Sequence, residues 1–188
     1  MLAAACVLAV VLTACTGKGG GYLPPQAPAF TGQASFGFTF SCAKGDLKIE
    51  LSYNDKGSNP LGSPFGIHGI VDQVDPVLES QFCIGENPPT PPNEITFLGR
   101  YSLTSSAPSG FPAACPKKET STSPLCRFEV TVRDNDQSLS PTPGDFFSIM
   151  LSTATCPDPT NVSCSTLPVG SVFYTRAGTL AGGNITVK

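Results

Sequence analysis

His68 is the one histidine of the chain, so chemistry that needs an imidazole near neutral pH rests on it. A serine hydrolase would set that base beside a nucleophile on a strained elbow, and no G-x-S-x-G pattern is present. His68 lies instead within Phe65 to Val71, an apolar stretch that reads as strand. Patterns for a zinc protease, a P-loop or a dinucleotide fold are absent as well. Carboxylates offer the remaining route to hydrolysis. Asp72, Asp75, Glu79, Glu94 and Glu129 would have to converge so that one acts as acid and another as base or nucleophile. The chain has no tryptophan to hold a sugar ring beside them. The expectation is that the protein is not an enzyme, with a carboxylate-dependent glycan or ester hydrolase as the alternative.

The sharpest polar cluster is Asp134-Asn135-Asp136, followed by Asp145 across a Pro/Gly loop. Hard oxygen ligands at the end of a strand suit Ca²⁺, with Asp134, Asp136 and Asp145 as its ligands. The spacing lacks the glycine and glutamate of an EF-hand loop. The plainer reading is a turn in which Asp and Asn bond their own backbone. No other cofactor is implied.

An apolar run from Leu2 to Leu12 leads into Leu12-Thr13-Ala14-Cys15, and Thr16-Gly17-Lys18-Gly19-Gly20-Gly21 follows at once. The run is too short for a spanning helix, which needs about 20 apolar residues. The order of apolar run, two small residues, cysteine and polar chain resembles the lipobox of bacterial lipoproteins. The resemblance implies a signal peptide over residues 1–14, cleavage before Cys15 and acylation of Cys15. It also implies an extracytoplasmic protein held by lipid on the cell membrane or outer membrane. Cys6 also follows small residues, but apolar residues succeed it, so it belongs to the signal. Residues 15–28, rich in Gly and Pro, read as a tether, and 29–188 as the domain.

Setting Cys6 and Cys15 aside leaves Cys42, Cys83, Cys115, Cys126, Cys156 and Cys164. An even number in an exported chain reads as a disulfide framework. Cys115 and Cys126 bracket one loop and Cys156 and Cys164 another, so local pairing would leave Cys42 for Cys83. A zinc site is the poorer account, since no C-x-x-C pair exists and there is a single histidine.

The elements that must carry these groups are strands. Charged residues make up 13% of the chain while Gly and Pro number 19 each, a balance of few charges and many turn formers. The net charge of -3 offers no basic patch for nucleic acid. Phe36, Phe38 and Phe40 alternate with small or polar residues, as do Leu47, Ile49, Leu51 and Tyr53. Further strands are expected over 65–77, 94–103 with a bulge at Gly99, 127–133, 145–151, 172–176 and 185–188. No helical apolar stripe appears outside the signal. About seven to nine short strands between turn-rich loops predict an all-β fold, a single antiparallel β-sandwich. The loops 57–66, 85–93, 105–125 and 155–168 are the expected contact surfaces.

The ends of the domain carry a second resemblance. Gly32-Gln33-Ala34-Ser35-Phe36-Gly37-Phe38 behind a glycine triplet, and Gly178 to Lys188 at the exit, are similar to the post-COAP domain of secreted bacterial proteins. Phe65-Gly66-Ile67-His68 and Pro143-Gly144-Asp145-Phe146-Phe147-Ser148-Ile149 sit between them in that family's order. The resemblance implies an extracellular β-rich module appended to diverse surface proteins, with no reaction attached. A binding or structural module follows, its partner an envelope polysaccharide or a surface protein.

Overall fold

The alternating segments become nine antiparallel strands: β1 Thr16–Leu23, β2 Ala34–Ser41, β3 Lys48–Asp55, β4 Phe65–Ile70, β5 Asn93–Leu103, β6 Cys126–Asp134, β7 Phe146–Thr155, β8 Val172–Thr179 and β9 Gly182–Val187. The structure is a computed structural model describing residues 16–41, 48–70, 93–120, 123–135, 144–156 and 166–187. The fold is all-β, and no helix occurs among the described residues.

A single sheet takes the place of the two facing sheets expected of a sandwich. Its order is β8-β7-β6-β5-β4-β3-β2-β1-β9. From β1 to β8 each strand pairs with its successor in the chain, the cheapest connection for antiparallel strands. The sheet curls until its own apolar face meets itself. Phe36 on β2 stacks on Phe147 of β7 with ring centroids 3.8 Å apart. Tyr53 on β3 lies 6.2 Å from the rings of both Phe147 and Tyr174. Burying rings of this kind contributes about 1.5–3 kcal/mol each.

Within the segment expected as a tether, Thr16–Leu23 is a strand. β1 pairs with β2 on one side and β9 on the other, so Gly19 lies opposite both Phe38 and Ile185. Its glycines are needed for closeness. A Cβ on Gly21 would sit 2.4 Å from the Gly182 carbonyl oxygen, and one on Gly19 would sit 2.9 Å from the Phe38 ring.

Gly99 is not a bulge. β5 and β6 stay in register from Asn93 to Arg100, and Gly99 points inward in phase with Ile95, Phe97 and Tyr101. Its missing side chain leaves room for Phe128, whose ring would lie 2.7 Å from a Cβ at either Gly69 or Gly99. The register shifts fall on β7 instead, opposite Cys126/Phe128 and between Leu151 and Ser152.

Polar side chains join the two edges of the curl. Arg176 of β8 donates through Nη2 to the carbonyls of Pro24, at 2.9 Å, and Gly32, at 2.7 Å. Gln26 donates to the Ala177 carbonyl at 2.7 Å. At the other edge the β9 amides of Ile185 and Val187 donate to Asp145, at 2.6 Å, and Asp134, at 3.2 Å. The loop after β5 is tied to β6 by the expected Cys115–Cys126 disulfide. It also sends Phe111 against Phe65, Tyr101 and Phe173.

Candidate functional site

Space for a ligand is found on the outer face of the sheet. A pocket of about 370 Å³ is lined by Gly19, Gly37, Phe38, Thr39, Glu50, Leu51, Ser52 and His68. Period-two alternation sets it up. Phe38 and Leu51 turn inward, while Gly37, Thr39, Glu50, Ser52 and His68 turn out. Register aligns Gly20 with Gly37, Gly37 with Ser52 and Ser52 with His68. Two adjacent strands therefore contribute no side chain at this level, and the surface drops to the backbone. Thr39 and Glu50, paired with each other, wall one side. Lys18 stands opposite Thr39 on β1, and Thr186 of β9 opposite Lys18. Two residues beyond Gly20, on the same face, Tyr22 is 36% exposed. Its ring rests on Gly182, where a Cβ would come within 2.6 Å of Cε1.

Ser52, His68 and Glu50 are the types of a nucleophile, base and orienting acid. Among the described residues no hydrogen bond links them to one another, whereas a nucleophile–base pair is held at hydrogen-bond distance. The groove offers donors, acceptors and both charges to a bound ligand. His68 was singled out from the sequence. Gly37, Thr39, Glu50 and Ser52 were not, although they are the outward residues of two well-marked strands.

A second polar group is enclosed. Arg176 and Asp55 are each 1% exposed, and Nη1 meets Oδ1 at 2.9 Å as an ion pair outside hydrogen-bond alignment. Tyr174 donates to Asp55 Oδ2 at 2.6 Å. That leaves Tyr53 to donate to the Tyr174 oxygen, also at 2.6 Å. Burial pushes both phenols well above the ordinary tyrosine range, so they stay neutral. The Arg176 guanidinium lies 4.6 Å from the centre of the Phe30 ring. These groups hold β3, β8 and the 24–32 segment together and face no solvent.

The expected calcium ligands have other employment. Asp145 accepts from the amides of Asn135, at 3.0 Å, and Ile185, and Asp134 accepts from Val187. Both carboxylates thus serve the edge of β9. Asp136 lies outside the described residues, among which no group of three or more metal-ligating side chains occurs. Of the acids named for hydrolysis, Glu94 pairs with Arg133. Glu129 faces Leu98, which puts the two acids about 13 Å apart along the strands. Burial raises the Glu129 carboxyl above the usual carboxylate range, with Arg127 opposing the shift. Asp72, Asp75 and Glu79 lie outside the described residues.

Cys156 is disulfide-bonded, like Cys115 and Cys126. Cys15, Cys42, Cys83 and Cys164 lie outside the described residues. Of the expected contact loops, 57–66 and most of 105–125 are described, and Gly110 donates to Leu61 across the two at 3.1 Å. The loop at 85–93 is described only at residue 93, and 155–168 only at its two ends.

Comparison with family models, curated proteins and solved structures returned no match for this chain.

Proposed function

We propose that this protein is a lipid-anchored lipoprotein of the bacterial envelope, held by Cys15, whose curled sheet binds polysaccharide in the glycine-floored groove. The resemblance to post-COAP domains fits an extracellular module of this kind. The observation that carries the binding role is the groove itself. Side chains are missing from adjacent strands at one level, and hydroxyl, carboxylate and imidazole groups ring the gap. Its size is that of ordinary ligand sites, about 300–1,000 Å³. A sugar chain needs many hydrogen bonds of both senses and an apolar face to rest on. Thr39, Ser52, Glu50 and His68 supply the first, and the exposed Tyr22 ring, outside the groove's lining on the same face, would supply the second to a chain long enough to reach it. Asp134 and Asp145 are engaged by backbone amides at the edge of β9 and do not line this groove, so the proposed site is expected to bind without calcium.

The test is a glycan array probed with residues 16–188, with and without EDTA, beside a Gly37→Leu variant. A Cβ at Gly37 has its nearest neighbour at 3.9 Å, so the larger side chain fills the groove without disturbing the fold. Selective binding that survives EDTA and disappears in the variant is the expected result. Binding unchanged by Gly37→Leu, or confined to calcium, would refute this site.

A further inference from the structure

The way the sheet sits on its membrane follows from where β1 begins, given the lipid anchor proposed above. Thr16, the first residue of β1, is joined to Cys15 by one peptide bond. At that end of the sheet Thr16 pairs with Ser41, and Ser41 with Lys48. At the other end Leu23 pairs with Ala34, Ala34 with Asp55 and Asp55 with Phe65. The eight residues of β1 separate the two ends by roughly 25 Å.

We infer that acylated Cys15 turns the Thr16–Ser41–Lys48 end of the sheet toward the phospholipid surface. With β1 beginning one residue after Cys15, the sheet has far less reach from the anchor than a long tether would give it. A head-group layer is about 5–8 Å deep. Lys18, exposed and about 10 Å along the chain from Cys15, stands at the outer boundary of the phosphates. The groove opens sideways just above it, about 13 Å from Cys15 at Gly19, within reach of polymers lying along the membrane. The far end faces away, with the hairpin turns 24–33 and 56–64, the disulfide-bound loop and the turn from Pro168 to Ser171. That turn is closed by a Ser171 amide to Pro168 carbonyl bond of 3.1 Å, and it presents Val169, 105% exposed.

The chain has no tryptophan, so single-tryptophan variants report position without background. Full-length acylated Lys18→Trp, Thr186→Trp and Val169→Trp proteins would be floated with phosphatidylcholine vesicles containing a head-group spin-labelled lipid. All three substitutions lie on the outer surface, and Lys18 and Thr186 are neighbours, so either suffices if the other misfolds. Quenching several-fold stronger at Lys18 or Thr186 than at Val169 is the expected result. Flotation with equal quenching, or with stronger quenching at Val169, overturns this mounting and leaves the anchor standing. Failure to float, with Cys15 unmodified by mass, overturns the anchor and the mounting with it.

Discussion

The Asp55–Arg176 pair sets a measurable limit on how the sheet can be altered. Both side chains are wholly enclosed. Asp55→Leu would leave the guanidinium buried without its counter-charge, and it would strip an acceptor from the Tyr174 hydroxyl. Breaking a buried ion pair at one partner costs about 3–5 kcal/mol, a large part of the ~5–15 kcal/mol that holds a domain folded. In a chain of this size the melting temperature would fall by about 6–20 °C. Arg176→Met would cost a comparable amount, because the Pro24 and Gly32 carbonyls also lose their donor. Replacing both residues removes the orphaned charge, so the double variant should be more stable than the sum of the single losses by at least about 2 kcal/mol. Urea unfolding at equilibrium, disulfides intact, on protein beginning at residue 16 gives all four values. Losses that add to within about 0.5 kcal/mol would show that the two charges do not depend on each other.

Three further outcomes follow from the same geometry. Gly21→Ala forces a Cβ to 2.4 Å from the Gly182 oxygen and should cost about 1–3 kcal/mol in urea unfolding, whereas Gly37→Ala should fall within about 0.5 kcal/mol of the parent. Burial raises the phenols of Tyr53, Tyr101 and Tyr174 well above the ordinary tyrosine value of about 10. Their contribution is intact below pH 10 and lost as pH rises beyond it, since only the unfolded chain then gives up those protons. Stability should fall by up to about 4 kcal/mol per pH unit above pH 10, and a flat profile from pH 9 to 11 would contradict their burial. Reducing the Cys115–Cys126 bridge, which closes a separation of 11 residues, should cost about 3 kcal/mol. A Cys115→Ala/Cys126→Ala variant measured beside the oxidised parent, its other disulfide intact, checks that figure.

The strands that alternate cleanly were legible in the sequence. Phe36 and Phe38, Leu51 and Tyr53, and Phe128, Val130 and Val132 all point inward as their spacing predicts. The choice between two sheets and one was not, because either architecture asks each strand for one apolar face. Contacts such as Phe36 on Phe147 decide it, and nothing local to either residue records them. β1 was missed for a related reason. Its glycines carry no alternation, and their role is read only from the residues that crowd them on β2 and β9. Asp55 looks like part of the turn Asn54-Asp55-Lys56-Gly57, and its burial depends on Arg176 and Tyr174 more than a hundred positions away. The groove was hidden in the same way. Its polar residues mark the outer faces of β2, β3 and β4, but the gap between them exists only once β1 aligns Gly20 with Gly37.

The pairing of β1 with β9 also dictates an order of assembly. Strands two to eight can each add to the neighbour made just before them, so most of the sheet can zip up as the chain emerges. The first strand finds β2 at once, yet its other side stays open until the last strand has been made. That final contact spans almost the whole chain, from Gly17 to Val187, and carries the largest loop-closure cost of any pairing in the sheet. The carboxylates of Asp134 and Asp145 must also wait for β9 before they gain its amides. Until then β1 is an uncovered glycine edge, a surface on which another incomplete copy could pair. Truncated chains lacking β9 are therefore where aggregation of this protein would begin.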